Sequence, residues 1–142
     1  MVANTSPIYS RTPDIQWIGD ITAANTNQDL TAGTSYLVFA ADATEGGFVR
    51  EVRLKANPAN GTAATVARIW INNGSTLSTA ANSAILAEVG IPATTASNSV
   101  PTPDFSIPLN IALPPSYRLY LTLGTAPGGS GEFTATAIAG KY

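Results

Sequence analysis

The sequence contains neither cysteine nor histidine. Without cysteine, disulfides and thiolate metal sites are excluded. Without histidine, the commonest general base and the commonest metal ligand are missing, which rules out Ser-His-Asp and Cys-His catalysis. The chain also lacks an apolar run of about 18 residues, so we expect no transmembrane helix. Its first residues have neither the basic nor the apolar region of a signal peptide.

Charged residues are scarce. They make up 11% of the chain, whereas roughly 25% is usual. The net charge is −2, and no basic stretch is long enough to follow a phosphate backbone, which argues against a nucleic-acid partner. Because a free monomer normally carries more surface charge, the composition predicts that neighbouring subunits cover part of the surface. A secreted or merely Thr-rich β-protein is the alternative.

The clearest secondary-structure pattern lies between Phe105 and Leu123. Apolar and polar residues alternate there with the period of two that is typical of a half-buried strand. We interpret the stretch as two strands that are joined by a turn at residues 114–116 and together form one wall of the core. In the first strand, Pro108 indicates an edge position or a bulge.

The same pattern predicts six further strands, at 14–22, 36–41, 48–56, 62–72, 85–91 and 132–139. A phase change around Gly19 indicates a bulge or a bend in the first of them. The apolar run at 36–41 predicts a strand buried on both faces. In the strand at 48–56 we expect Phe48 to point inward and Val49 outward, with Arg50 as an exception on the inward face.

The connections and the N-terminus complete the predicted organisation. Gly124–Gly131 is interpreted as a flexible hairpin tip, and residues 76–84 as a polar loop or one helical turn. Eight strands joined by short loops predict a single all-β domain at 14–142, an eight-stranded antiparallel jelly-roll-like β-sandwich, with another Greek-key sandwich as the alternative. Residues 1–13 have no alternating run and are interpreted as an extended N-terminal arm.

No residue set predicts a catalytic, cofactor or metal site. The turn at 42–47 combines two acids with glycines but lacks the spacing of a calcium loop. Asp104 and Glu88 lie near strand or loop ends, and nothing in the sequence brings them together as the carboxylate pair of a glycosidase. We therefore predict that the protein is not an enzyme and uses no cofactor.

Candidate interface residues come from two places in the chain. In the arm they are Ile8, Tyr9 and Arg11, because Tyr and Arg are enriched at interfaces. In the strand at 62–72, Trp70 lies opposite the aliphatic face, with Arg68 two residues away. Either Trp70 packs on the second sheet or, with Arg68, it anchors a subunit interface. The aromatic residues considered for a sugar-binding face are Trp17, Tyr36, Trp70, Tyr117 and Tyr120.

Several strand and turn phrases resemble small virion proteins of tailed bacteriophages, and the nearest kind is the head decoration (cement) protein. The phrases are RIWINNG (68–74), LAEVGIP (86–92), IPLN (107–110) and LPPSYRL (113–119), with a closing strand rich in Thr, Ala and Gly. The resemblance covers roughly residues 14–142. It implies a non-enzymatic β-sandwich, commonly a homotrimer, that sits on the outer surface of the capsid. It also implies that the protein clamps neighbouring major capsid protein subunits, with a terminal arm suited to that role.

The sequence leaves a second function open. A receptor- or glycan-binding module of a phage tail fibre or tip has the same style of β-domain. Such a module predicts exposed aromatic residues on a concave surface. Neither function involves a nucleic-acid or membrane partner.

Overall fold

The computed structural model describes residues 12–142 as an all-β structure. Its strands are β1 (Thr12–Pro13), β2 (Gln16–Ile21), β3 (Tyr36–Ala40), β4 (Gly47–Ala56), β5 (Thr65–Asn72), β6 (Ser83–Ile91), β7 (Asp104–Leu113), β8 (Arg118–Leu123) and β9 (Phe133–Lys141). One 3-10 turn, η1 (Ala80–Asn82), lies between β5 and β6, where a polar loop or one helical turn was expected. No helix in the described part of the chain is long and apolar enough to cross a membrane.

The strands form two sheets with the topology of a jelly roll. The first sheet has the order β2-β9-β4-β7, and the second has the order β3-β8-β5-β6. The short strand β1 pairs with β9 on the same side as β2. Strand β2 pairs with β9, β3 with β8, β4 with β7 and β5 with β6, all antiparallel. This nesting is what results when one long hairpin is rolled into a sandwich. The predicted fold class is confirmed.

The core lies between the two sheets. Leu119, Leu121 and Leu123 of β8 are fully buried, as their alternation predicts. Full burial of a leucine side chain contributes about 1.5–3 kcal/mol. On the first sheet, the inward positions of the central strand β9 are Phe133, Ala135 and Ala137, also fully buried. The small alanines allow the second sheet to pack closely on this strand.

The expectation that the two strands of Phe105–Leu123 form one wall is wrong. Strand β7 belongs to the first sheet and β8 to the second, so the turn at 114–116 crosses from one sheet to the other. Gly124–Gly131 is likewise not a hairpin tip, since it connects β8 to β9 across the sandwich. Alternation identifies a strand and its faces, but its partners are chosen by pairing with distant segments.

A bulge in β4 reverses the predicted orientation of its first residues. The register between β4 and β9 shifts between Val49 and Glu51, which leaves Arg50 as an extra residue of β4 in that pair. In the pair with β7 the shift has the opposite sense, and the extra residue lies on β7 between Pro108 and Ile111. Val49 is therefore fully buried and Phe48 only half-buried, the opposite of the expectation. Arg50 points to solvent, so the predicted exception on the inward face disappears.

Three of the edge strands, β2, β7 and β3, each test a prediction from the sequence. The predicted bulge around Gly19 is confirmed by a register shift between Ile18 and Ile21. Pro108 lies in β7, which is an edge strand, as expected of a residue without an N–H donor. Strand β3 is also an edge, and Leu37 is 41% exposed. The expectation that residues 36–41 are buried on both faces is therefore wrong.

The described chain begins at the end of the predicted arm. Thr12 and Pro13 pair with Lys141 and Gly140 of β9 and lie in line with β2. The candidate interface residues Ile8, Tyr9 and Arg11 lie outside the described residues.

Candidate functional site

The outer side of the first sheet presents two exposed apolar side chains. Trp17 is 71% exposed and Ile15 52% exposed. Trp17 is the cross-strand partner of Thr136, which in turn is the partner of Arg53 on β4. We call this surface the Trp17 face and define it by Ile15, Trp17, Arg53, Lys55, Asp104, Thr134 and Thr136.

The exposure of Trp17 follows from the local strand geometry. Residues two apart share a face of a strand, so Ile15 and Trp17 point together to one side of the β1–β2 edge. Ile18 packs against the core from the other side, and after the bulge Ile21 is fully buried. Because these isoleucines fill the inward positions, Ile15 and Trp17 point to solvent. Exposed large apolar side chains grouped in this way are typical of an interaction site.

Beside Trp17 the face is polar and charged. Lys55 Nζ donates to Asp104 Oδ1 at 2.8 Å and to the Thr102 carbonyl oxygen at 3.2 Å. Arg53 Nη2 lies 3.5 Å from Asp104 Oδ2. The hydrogen bond and charge of Lys55, together with the charge of Arg53, hold the pKa of the Asp104 carboxyl below its ordinary value. These side chains contribute to the lining of a cavity of about 520 Å³.

Arg53 is the side chain on this face best placed to bind a partner. A guanidinium carries five N–H donors, and the long contact with Asp104 is the one hydrogen bond this guanidinium makes within residues 12–142. Its side chain is 52% exposed. Because Arg binds carboxylates in a bidentate manner, the face combines an apolar anchor with a site for an acidic group.

The predicted interface residues Arg68 and Trp70 lie on the second sheet. Trp70 is only 3% exposed, and its Nε1 donates to Thr122 Oγ1 at 3.0 Å. Arg68 Nε donates to Glu88 Oε1 at 2.7 Å, with side-chain exposures of 17% and 51%. The indole therefore offers almost no surface to a partner. A subunit contact at this place stays a prediction, and Glu88 is its most accessible side chain.

Sequence reasoning did not select Trp17 and Ile15 as interface residues. The available signal was the phase change at Gly19, which separates them from Ile18 and Ile21. That signal shows two faces but not which of them is covered. Of the five aromatic residues considered for a sugar-binding face, only Trp17 is exposed in the structure.

The acidic residues serve structural roles. Asp42 Oδ1 accepts hydrogen bonds from the backbone N–H groups of Thr44 and Glu45 at 2.8 and 2.9 Å. These bonds, with a smaller contribution from the charge of Lys141, lower the pKa of the Asp42 carboxyl. Asp104 and Glu88 lie in different sheets. Among residues 12–142 there is no group of three or more acids arranged to hold a metal ion.

Comparisons with known proteins give a structural likeness but no sequence match. The sequence matches no protein-family model and no curated protein. The chain is similar to a chain in the structure of the infectious bursal disease virus Gx strain, with a TM-score of 0.32 and 14% sequence identity. The match covers 99% of this chain and 36% of that chain. The fold assignment rests on the strand pairing described above.

Proposed function

We propose that the protein is a non-enzymatic virion structural protein that decorates the outer surface of a phage capsid and clamps neighbouring major capsid protein subunits. The observation that carries the proposal is the Trp17 face, an exposed Trp and Ile beside an available Arg on a rigid sheet. Jelly rolls include viral capsid domains, lectins and cupins, so the fold alone does not select a function. The low charge and the sequence resemblance favour a virion protein.

The Trp17 face supplies the docking contact in this proposal. Trp and Arg dominate the residues whose truncation costs most at protein interfaces. Docking would bury Trp17 and Ile15 and bring Arg53 to an acidic group of the capsid protein. A stable interface of this kind covers about 800 Å² on each partner. If the chains form a homotrimer, as the resemblance implies, three such contacts act together and the bound state gains from multivalency.

The N-terminal arm provides the clamp. It leaves the domain through β1, at the end of the same edge strand that carries Ile15 and Trp17. Both elements can therefore engage adjoining parts of the shell. Ile8, Tyr9 and Arg11 would contact the neighbouring subunit, and Pro7 and Pro13 limit the entropy lost when the arm docks.

Trp17→Ser tests the docking contact. We expect the variant to bind expanded capsids at least about tenfold more weakly, which corresponds to about 1.4 kcal/mol. The measurement is cosedimentation with expanded capsids stripped of their decoration protein, with procapsids as the non-binding comparison. Leu37→Ser is the matched control, because Leu37 is 41% exposed but lies on β3 of the second sheet.

The possible outcomes distinguish an error in the docking surface from an error in the proposed function. Equal binding of Trp17→Ser and the unchanged chain would show that another surface docks on the capsid. Failure of the unchanged protein to bind expanded capsids would overturn the decoration role itself.

Glycan binding by a tail module is the second candidate, because one exposed indole lies beside a cavity on the same face that is lined by both polar and apolar residues. This function predicts that Trp17→Ser abolishes binding to host polysaccharide on a glycan array. It also predicts that antibody labelling in electron micrographs marks the tail. Labelling of the head, combined with an array without hits, would contradict it.

A further inference from the structure

Two Asn-Gly pairs lie in connections of the second half of the sandwich, and the structure holds them differently. Asn60–Gly61 lies between β4 and β5, and Asn73–Gly74 lies between β5 and β6. Asn-Gly pairs are common in turns because glycine has no Cβ. The same property makes them chemically labile, since the unhindered glycine nitrogen can attack the side-chain amide of the asparagine before it. Asparagine is accordingly one of the thermolabile residues.

The fold requires a glycine in both pairs. A Cβ placed on Gly61 would lie 2.7 Å from the Thr94 carbonyl oxygen. One placed on Gly74 would lie 2.8 Å from the Ser116 carbonyl oxygen, and Gly74 has a φ of +88°, which other residues rarely adopt. Each asparagine is therefore followed by an amide nitrogen that no side chain shields.

At Asn73–Gly74, hydrogen bonds hold every group that would react. The Gly74 N–H donates to Asn72 Oδ1 at 2.9 Å. Asn73 Oδ1 accepts from the Ser75 N–H at 3.1 Å, and Asn73 Nδ2 donates to Asn82 Oδ1 at 3.3 Å. The glycine nitrogen can reach the side-chain carbon of Asn73 only after these bonds break.

At Asn60–Gly61 the corresponding groups are free. Within residues 12–142, neither the Gly61 N–H nor the Asn60 side-chain amide makes a hydrogen bond. Gly61 is exposed and Asn60 is half-buried, so water reaches the glycine amide. The one bond in which Asn60 takes part is a long one, from its N–H to the Asn57 carbonyl oxygen at 3.4 Å.

We propose that Asn60 is a site of spontaneous deamidation, whereas the fold protects Asn73. The Gly61 nitrogen attacks Cγ of Asn60 and a cyclic imide forms. The Cγ–Nδ2 bond breaks, and the side-chain nitrogen leaves as ammonia with the proton that the Gly61 amide loses. Water then opens the imide at one of its two carbonyl carbons. One opening yields aspartate, and the other yields isoaspartate, in which the backbone runs through the former side chain.

The new carboxylate belongs to a turn that also lines the cavity beside Trp17. Asn57 and Pro58 of this turn line the cavity together with Arg53 and Lys55. Both products carry one negative charge where the amide carried none. A more acidic form of the protein therefore accumulates with time, and its added charge lies in the turn at this end of the first sheet.

The reaction rates at the two asparagines test the proposal. The full chain is incubated at slightly alkaline pH, and the peptides that contain Asn60 and Asn73 are measured by mass spectrometry. The chain unfolded in guanidinium chloride is the reference, because both pairs lose their surroundings there and should react at similar rates. In the folded protein we expect Asn73 to react at least about tenfold more slowly than Asn60, which corresponds to about 1.4 kcal/mol.

Two glutamine variants identify the source of the acidic form. Asn60→Gln should prevent its appearance on isoelectric focusing, because a glutamine would have to close a larger ring, which forms more slowly. Asn73→Gln is the matched control and should leave the rate of acidification unchanged. Unchanged circular dichroism spectra show that both variants are folded.

Three results would overturn the proposal. The first is an Asn60 that stays intact in the folded protein for as long as the unfolded chain takes to react. The second is equal rates at Asn60 and Asn73 in the folded protein. The third is an Asn73 that is equally slow in the unfolded chain, which would trace the difference to local sequence instead of the fold. None of these measurements uses capsids, so the outcome is independent of the decoration role.

Discussion

At the scale of single residues, the two tryptophans show how the same side chain serves opposite purposes. Trp17 is 71% and Trp70 3% exposed. Trp70 lies on β5, between two strands of the second sheet, and is buried outside the contiguous core between the sheets. A buried indole N–H requires a partner, and the fully buried Thr122 hydroxyl supplies it. Trp17 has an uncovered face and no such constraint.

The Trp70–Thr122 hydrogen bond yields a stability prediction. Thr122→Val keeps the shape of the side chain but leaves the buried indole N–H without an acceptor, which costs about 1–3 kcal/mol. The measurement is the free energy of unfolding in urea. Thr134→Val is the matched control, because Thr134 is exposed on β9 and the same substitution there should change stability by less than about 0.5 kcal/mol.

A double-mutant cycle with Trp70→Phe isolates the bond from the packing. The sum of the unfolding free energies lost in the two single variants should exceed the loss in the double variant. Removing both polar partners leaves neither of them unpaired. Strict additivity would show that the two side chains do not depend on each other.

At the scale of elements, the two sides of the sandwich differ. On one side β2 and β3 are tied together by Gln16, which bonds both backbone groups of Ala40. Nearby, Tyr36 Oη accepts hydrogen bonds from the N–H groups of Thr22 and Ala23 at 3.1 and 2.9 Å. On the other side no comparable bridge joins β6 to β7 within the described residues.

Removal of the Gln16 bridge should destabilise the domain. Gln16→Ala leaves the half-buried Ala40 N–H and C=O without their partner, and we expect a loss of about 1–3 kcal/mol in the free energy of unfolding. Gln28→Ala, at an exposed loop position, should be nearly neutral. A neutral Gln16→Ala would mean that water replaces the amide at the β3 edge.

At the scale of the whole molecule, the arm and the Trp17 face share one edge. Thr12 and Pro13 are paired with β9. The sequence before them has no alternating apolar run that could contribute to the core. Deletion of residues 1–11 is therefore expected to change the urea unfolding midpoint little and to lower capsid occupancy severalfold. Deletion of residues 1–13 serves as comparison, since it also removes the β1 pairing. A 1–11 deletion that unfolds, or that decorates capsids fully, would contradict the clamp.

Much of the fold could be predicted from local pattern alone. Period-two alternation located most of the eight long strands, because a strand with one buried face has to place its apolar residues at every second position. The strand at 36–41 was located instead by its continuous apolar run. The phase change of the apolar residues around Gly19 indicated the bulge in β2. Pro108 indicated an edge position, because proline has no N–H to donate to a neighbouring strand. The short connections and missing helices then indicated the jelly roll.

Only the tertiary structure decided which strands lie in the same sheet and which strand faces are buried. Strands β7 and β8 entered opposite sheets, and Trp70 became buried while Trp17 did not, although the sequence presents both tryptophans in similar alternating strands. Alternation distinguishes two faces of a strand, but whether a face meets solvent depends on segments far away in the chain. The position of β6 at the edge of its sheet was likewise decided by the tertiary structure, because it depends on how all the other strands pair.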